Sequence, residues 1–132
     1  MEKSNISEFK ANDFEEFQSF VKEAPGLVVI DFFATWCGPC QRLLNQLPSL
    51  AKEFPDVLFV EVNAEACPAI SKKFSFYSYP TIFFVKSKEG EIQKFGSVTG
   101  AYLDRIRSKV VEFKDPNAIP SESGWGCFCQ IA

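Results

Sequence analysis

The chain contains no histidine, no surplus of basic residues and no apolar run near the ~18 residues that a membrane-spanning helix needs. Without imidazole, Ser-His and Cys-His nucleophilic catalysis are excluded, and zinc loses its usual nitrogen ligands. A zinc site would have to be assembled from five scattered cysteines and carboxylates, so no metal is expected. Lys and Arg number 14 against 17 Asp and Glu, a net charge of −3, with both signs interleaved. No basic patch forms, which argues against nucleic acid as a partner. No basic start followed by an apolar segment marks a secretory signal, so a cytoplasmic chain with reduced thiols is expected.

What is present points to one globular domain. The 132 residues suffice to bury a core, and 46% hydrophobic content with 15 phenylalanines excludes general disorder. An odd number of cysteines in a reducing compartment argues for catalytic or incidental thiols over a structural disulfide framework.

The most informative stretch is Thr35-Trp36-Cys37-Gly38-Pro39-Cys40. Residues 27–34 before it are too apolar for anything but a strand buried on both faces. After it, Leu43, Leu44 and Leu47 recur at helical spacing, so a helix is expected from about Pro39 to Phe54. Upstream, Ile6 and Phe9 flank a short edge strand, and Asn12 is placed to cap a helix carrying Phe14, Phe17, Phe20 and Val21, with Glu15 completing a capping box. Downstream come a strand at 57–63, parallel to the first through a right-handed crossover, and a short helix at 67–74. A hairpin follows, with strands at 81–85 and 91–95, closed by Gly96. Thr99 caps a last helix through Tyr102, Leu103, Ile106, Val110 and Phe113. The order gives an α/β fold, a central mixed β-sheet flanked by helices on both faces. Residues 1–113 form the domain, and 114–132 read as a flexible tail.

Two cysteines two residues apart, at a strand-to-helix junction, suit disulfide chemistry; a zinc ribbon or chance also produces the bare pattern. Cys37 precedes the first helical turn, where unpaired N–H groups and the helix dipole favour a thiolate, the form that attacks disulfides. Gly38 permits a tight turn, and Pro39 suits the start of a helix because it has no N–H to waste. Cys40 lies within disulfide reach of Cys37, so Cys37 acts as nucleophile and Cys40 resolves the mixed disulfide. Asp31 interrupts the buried strand. An isolated carboxyl there should keep its proton, and it is either the base that accepts the proton of Cys40 or a structural hydrogen-bonding group.

Trp36-Cys37-Gly38-Pro39-Cys40 resembles the active site of the thioredoxin family, and the resemblance extends over about residues 5–113. Asp31 is similar to the family's buried aspartate, Tyr79-Pro80-Thr81 resembles its cis-proline turn, and Gly96 resembles the glycine that opens its substrate groove. The resemblance implies that Pro80 is cis and packs against the dithiol, that the backbone of Tyr79 pairs with an incoming peptide, and that Trp36 is an exposed aromatic cover. It implies a monomeric protein-disulfide reductase without a bound cofactor, with thioredoxin reductase as electron donor, and peroxiredoxins and other disulfide-containing proteins as acceptors. Substrate-binding residues would be Trp36, Gly38, Pro39, Tyr79, Pro80 and Gly96.

The chain departs from the family at several points. Asn45 stands where many members have a proline; Pro48 follows three residues later, so the active-site helix is expected to kink there or break near Leu44. Glu61 stands where bacterial members place a lysine, and is expected to face outward. Cys67 is read as a passive thiol, or as a regulatory one as in some eukaryotic relatives. The terminal Cys129-Gln130-Ile131-Ala132 resembles a prenylation box, with Cys127 as a palmitoylation site; a redox-active Cys127/Cys129 pair or no role at all are the alternatives. Lipidation would make the chain a dedicated reductant for a membrane-localised target. A non-catalytic adaptor on the same fold is the reading from another class.

Overall fold

A computed structural model describes residues 4–121. The elements, in chain order, are β1 (Ile6–Glu8), α1 (Phe14–Lys22), β2 (Val28–Phe33), α2 (Gly38–Glu53), β3 (Leu58–Asn63), α3 (Pro68–Ser71), β4 (Thr81–Lys88), β5 (Glu91–Thr99) and α4 (Leu103–Phe113). The five strands form one sheet in the order β1-β3-β2-β4-β5. β2 is central, every residue of it buried, as its unbroken apolar run requires. It runs parallel to β3 and antiparallel to β4. The sheet's two faces carry separate cores. Val28, Ile30 and Phe32 pack with Phe17, Val21, Ile70 and Phe74 from α1 and the α3 segment. Val29 of β2 packs on the other face with Leu43, Leu47 and Leu50 of α2 and Ile106 and Val110 of α4. Strand alternation therefore sends odd-numbered β2 residues, Asp31 among them, towards α2.

Several local expectations are corrected. Asp13, not Asn12, caps α1, its carboxylate accepting the Glu16 N–H at 3.0 Å. Asn12 accepts instead from Ala69 N–H at 2.8 Å and ties the start of α3 to the first loop. Pro48 lies inside α2, which continues as one helix to Glu53 and does not break near Leu44. The buried face formed by Leu43, Leu47, Leu50 and Ala51 offsets the missing N–H, which Pro48 presents on the exposed side. Gly96 does not close β5. The strand runs on to Thr99, which pairs with Thr81 and caps nothing; Tyr102 precedes α4 without a side-chain cap. The hairpin turn is a two-residue loop, Glu89 and Gly90, with φ of 54° and 80°, the geometry that matches strand twist.

The segment from Lys114, read as tail, folds back as far as it is described. Lys86 Nζ donates to the Asp115 carbonyl and Ser121 N–H to the Lys94 carbonyl, each at 3.0 Å, and Ala118 packs on the α2/α4 core. Cys127 and Cys129, with the prenylation box, lie outside the described residues.

Candidate active site

The end of β2 delivers the site. Phe33 and Ala34 are buried with Cys37 and Cys40 in a small cluster, against which Leu44 and Tyr79 pack. Cys37 occupies the N-cap position of α2 with an extended backbone (φ −87°, ψ 114°), and Pro39 stands in the first turn. Cys37 and Cys40 form a disulfide, their Cα atoms 5.2 Å apart, the separation that two intervening residues at a helix start produce. The Cys40 N–H points at Cys37 Sγ from 3.2 Å. An N–H so placed stabilises the negative charge that this sulfur would carry once the disulfide is reduced. Cys40 is fully buried, whereas Cys37 keeps a 6% exposure and is followed by exposed Gly38 and Pro39. A Cβ on Gly38 would meet nothing within 4 Å, so this rim is open to an incoming chain. The asymmetry separates an attacking sulfur from a sheltered one.

Three aromatic residues and a proline frame the pair. The Tyr79–Pro80 peptide bond is cis, and the Tyr79 carbonyl oxygen lies 3.8 Å from Cys37 Sγ. Trp36 is 68% exposed; its indole N–H donates to Glu65 Oε1 at 3.0 Å, and its ring meets Tyr79 edge-on, centroids 5.7 Å apart. Tyr79 in turn meets Phe76 edge-on at 5.9 Å, and Phe76 stacks on Phe32 in the core. The exposed tryptophan is thereby held by a carboxylate and an aromatic chain running to the buried sheet.

Gly96 is not brought to this end. It pairs with Phe84 beside a bulge between Phe84 and Val85, and a Cβ there would come within 2.8–2.9 Å of the Phe113 ring. Its role is to let α4 close on the sheet. The glycine beside the proline turn is Gly100, whose N–H donates to the Pro80 carbonyl at 2.8 Å and whose φ of 102° suits glycine. Sequence reading passed over it, although Gly100 follows Thr99 as directly as Gly96 follows Phe95.

Asp31 is 1% exposed, and neither carboxylate oxygen has a hydrogen-bond partner among the described residues. A capping or structural hydrogen-bonding role is therefore not what the fold provides. Burial, and secondarily the Glu61 carboxylate, push its pKa to about 8. Glu61 is the one expectation about this region that the structure reverses. Register pairs it with Asp31 across β2 and β3, so the two side chains share a face, and Glu61 is half-buried rather than directed outward. Burial, with Glu8 paired to it on β1, raises the Glu61 pKa as well. Acids at Glu8, Glu61 and Asp31 thus lie in register across three adjacent strands, from the sheet edge to its centre. Cys67 is 1% exposed, and its thiol sits 3.5 Å from the Lys10 carbonyl; burial first, then Glu8, raises its pKa, which disfavours the reactive thiolate.

Known proteins share this arrangement. A family model described as Thioredoxin matches residues 8–112. The solved structure of Trichomonas vaginalis thioredoxin superposes with a TM-score of 0.79 at 40% identity, covering 85% of this chain and 100% of that one. Mitochondrial thioredoxin-3 of Saccharomyces cerevisiae is 38% identical over 92 residues, 70% of this chain and 68% of its own length. A chain from a structure titled for the thiol resolving mechanism of a yeast mitochondrial 1-Cys peroxiredoxin matches with a TM-score of 0.69 at 30% identity, over 80% of this chain and 93% of that one. Thioredoxin domain-containing protein 2 of Rattus norvegicus is 35% identical over 103 residues, and the chain spans only 18% of its length.

Proposed function

The chain belongs to the thioredoxin family, and from that membership we propose that it is a cytoplasmic protein-disulfide reductase in which Asp31 accepts the proton of Cys40. The observation that carries the reading is the Cys37–Cys40 disulfide at the start of α2, with Cys37 at the helix N-cap and Cys40 wholly buried behind it in sequence. In the reduced protein the Cys37 thiolate attacks a substrate disulfide. A new S–S bond forms to one substrate sulfur, and the other leaves as a thiolate. Cys40 then gives its proton to the Asp31 carboxylate and attacks Cys37 Sγ. The second substrate sulfur leaves with the electron pair, and the protein is left as the Cys37–Cys40 disulfide. The substrate has gained two electrons and, with protons from water, becomes a dithiol.

Asp31 suits its step because a carboxyl with a pKa of about 8 is close to matched with a thiol, so neither direction of proton transfer is steeply uphill. Placement on the face of β2 that packs against α2, the helix that carries Cys40, supports the same role. Trp36, Tyr79 and Pro80 form the surface on which an extended peptide would lie, with the Tyr79 backbone as its pairing edge. Reducing equivalents would come from a flavin-dependent thioredoxin reductase. Peroxiredoxins are suitable acceptors, an assignment supported by the similarity to the chain in the peroxiredoxin-resolution structure.

Insulin-disulfide reduction driven by dithiothreitol tests the reading. Wild-type protein is expected to accelerate it, and Cys37→Ser to fall to the uncatalysed rate. Equal activity of the two proteins would leave a binding module with an idle cysteine pair.

A further inference from the structure

An open cleft lies between α2 and the loop that leads into α4. It is lined by Arg42 and Gln46 from one wall and by Tyr102, Asp104 and Arg105 from the other. A short path joins it to the reacting sulfurs: Tyr102 follows by two residues Gly100, whose N–H donates to the Pro80 carbonyl, and the adjacent Tyr79 carbonyl oxygen lies 3.8 Å from Cys37 Sγ. Tyr102 is 53% exposed, and the Arg105 guanidinium lies over its ring, 4.6 Å from the centroid.

The charge in this cleft is unbalanced. Neither Arg42 nor Arg105 forms an ion pair among the described residues. Asp104, the acid lining the same cleft, is held by Arg107 at 3.2 Å, and Arg107 is in turn held by Glu53 at 2.8 Å. Elsewhere on α4 the cations have carboxylates to meet, Lys109 with Glu112 and Arg107 with Glu53. In a chain of net charge −3, two guanidinia that line one cleft and form no ion pair among the described residues stand out. Arginine's planar fork suits carboxylates, and its stacking on Tyr102 orients it without consuming its outward N–H groups.

We propose that this cleft binds acidic side chains of the disulfide partner, within a few residues of the cysteine that Cys37 attacks, and so selects substrates with an acidic flank. The proposal rests on the reductase reading and names its substrate class. An extended chain advances about 3.3 Å per residue, so an Asp or Glu two to four positions from the reacting cysteine lies about 7–13 Å along the partner chain, a span that a long arginine side chain helps to bridge. Recognition of this kind raises the encounter rate and lowers KM, leaving the sulfur chemistry alone.

The test uses the full chain and three disulfide-linked peptides that are identical except for flanks of Asp/Glu, Ser/Gly or Lys. Wild type is expected to favour the acidic over the neutral peptide in kcat/KM by roughly three- to ten-fold at low ionic strength. The preference should sit in KM, shrink at high salt, and reverse sign for the lysine peptide. The double variant Arg42→Gln, Arg105→Gln should lose the preference while reducing the neutral peptide at the wild-type rate. A preference absent in wild type, or intact in the double variant, would overturn the proposal. Failure of wild type to reduce even the neutral peptide would instead strike at the reductase reading. In that case, binding of serine-for-cysteine versions of the acidic and lysine peptides decides about the cleft: equal affinities refute it, and tighter acidic binding abolished in the double variant supports it.

Discussion

Asp31 is a buried carboxyl without a hydrogen-bond partner among the described residues. An ordinary aspartate releases its proton near 3.8, and this one near 8. Between those values the native protein keeps a proton that the unfolded chain has lost, so stability falls as pH rises from about 4 to about 8, by roughly 1.4 kcal/mol for each pH unit. Above about 8 both states are ionised, and the full penalty remains. Asp31→Asn should therefore be more stable than wild type by several kcal/mol at pH 8.5, with the difference vanishing near pH 4; urea unfolding at the two pH values measures it. The same variant should resolve its mixed disulfide up to about 100-fold more slowly, visible as accumulation of the Cys37-linked adduct. Glu61→Gln removes the neighbouring negative charge and should move the Asp31 titration below about 8, which infrared or NMR titration of the carboxyl would follow. An unmoved titration would mean that burial alone sets it.

At the scale of elements, the bulge between Phe84 and Val85 decides which glycine does what. It adds Phe95 to β5 without a partner, so the strand passes Gly96 under Phe113 and delivers Gly100 to Pro80. Counting outward from the Glu89-Gly90 turn cannot reveal this, because only pairing with β4 shows the inserted residue. Phe113 is held between Phe84 and Phe95, with centroids 5.5 and 5.9 Å away. Gly96→Ala should therefore cost about 1–3 kcal/mol in thermal or denaturant unfolding while leaving the chemistry of the cysteines unchanged. The caps follow similar logic. Asn12 and Asp13 are both capable N-caps, and the choice fell to the residue whose neighbour could also serve α3. α2 tolerates Pro48 because its buried stripe contributes more than the ~3 kcal/mol that an interior proline costs.

Across the whole molecule, residues 114–121 fasten to the Lys86 side chain of β4 and to the edge strand β5. A chain ending at Phe113 should be less stable than one ending at Ser121 by about 1–3 kcal/mol, from the lost Lys86 and Ser121 hydrogen bonds and the lost packing of Ala118. The two truncations should reduce insulin at the same rate, since none of these contacts reaches the disulfide. Comparing the two excludes any contribution from the residues beyond Ser121. The fold's order, and the placing of the dithiol between a central strand and a helix, were legible from hydrophobic period and the Cys-x-x-Cys spacing alone. Both signals are local, carried by residues within about fifteen positions of one another in the chain.

Sequence by itself determined the nucleophile, its partner sulfur and the helix start that serves them, because backbone geometry at a strand-helix junction depends on residues that are neighbours in the chain. Only tertiary structure decided that Glu61 faces Asp31, that Gly100 rather than Gly96 meets Pro80, and that Arg42 and Arg105 share one cleft. Each of these depends on register between strands or the docking of one helix on another, and a shift of a single residue in either would have given a different set of neighbours.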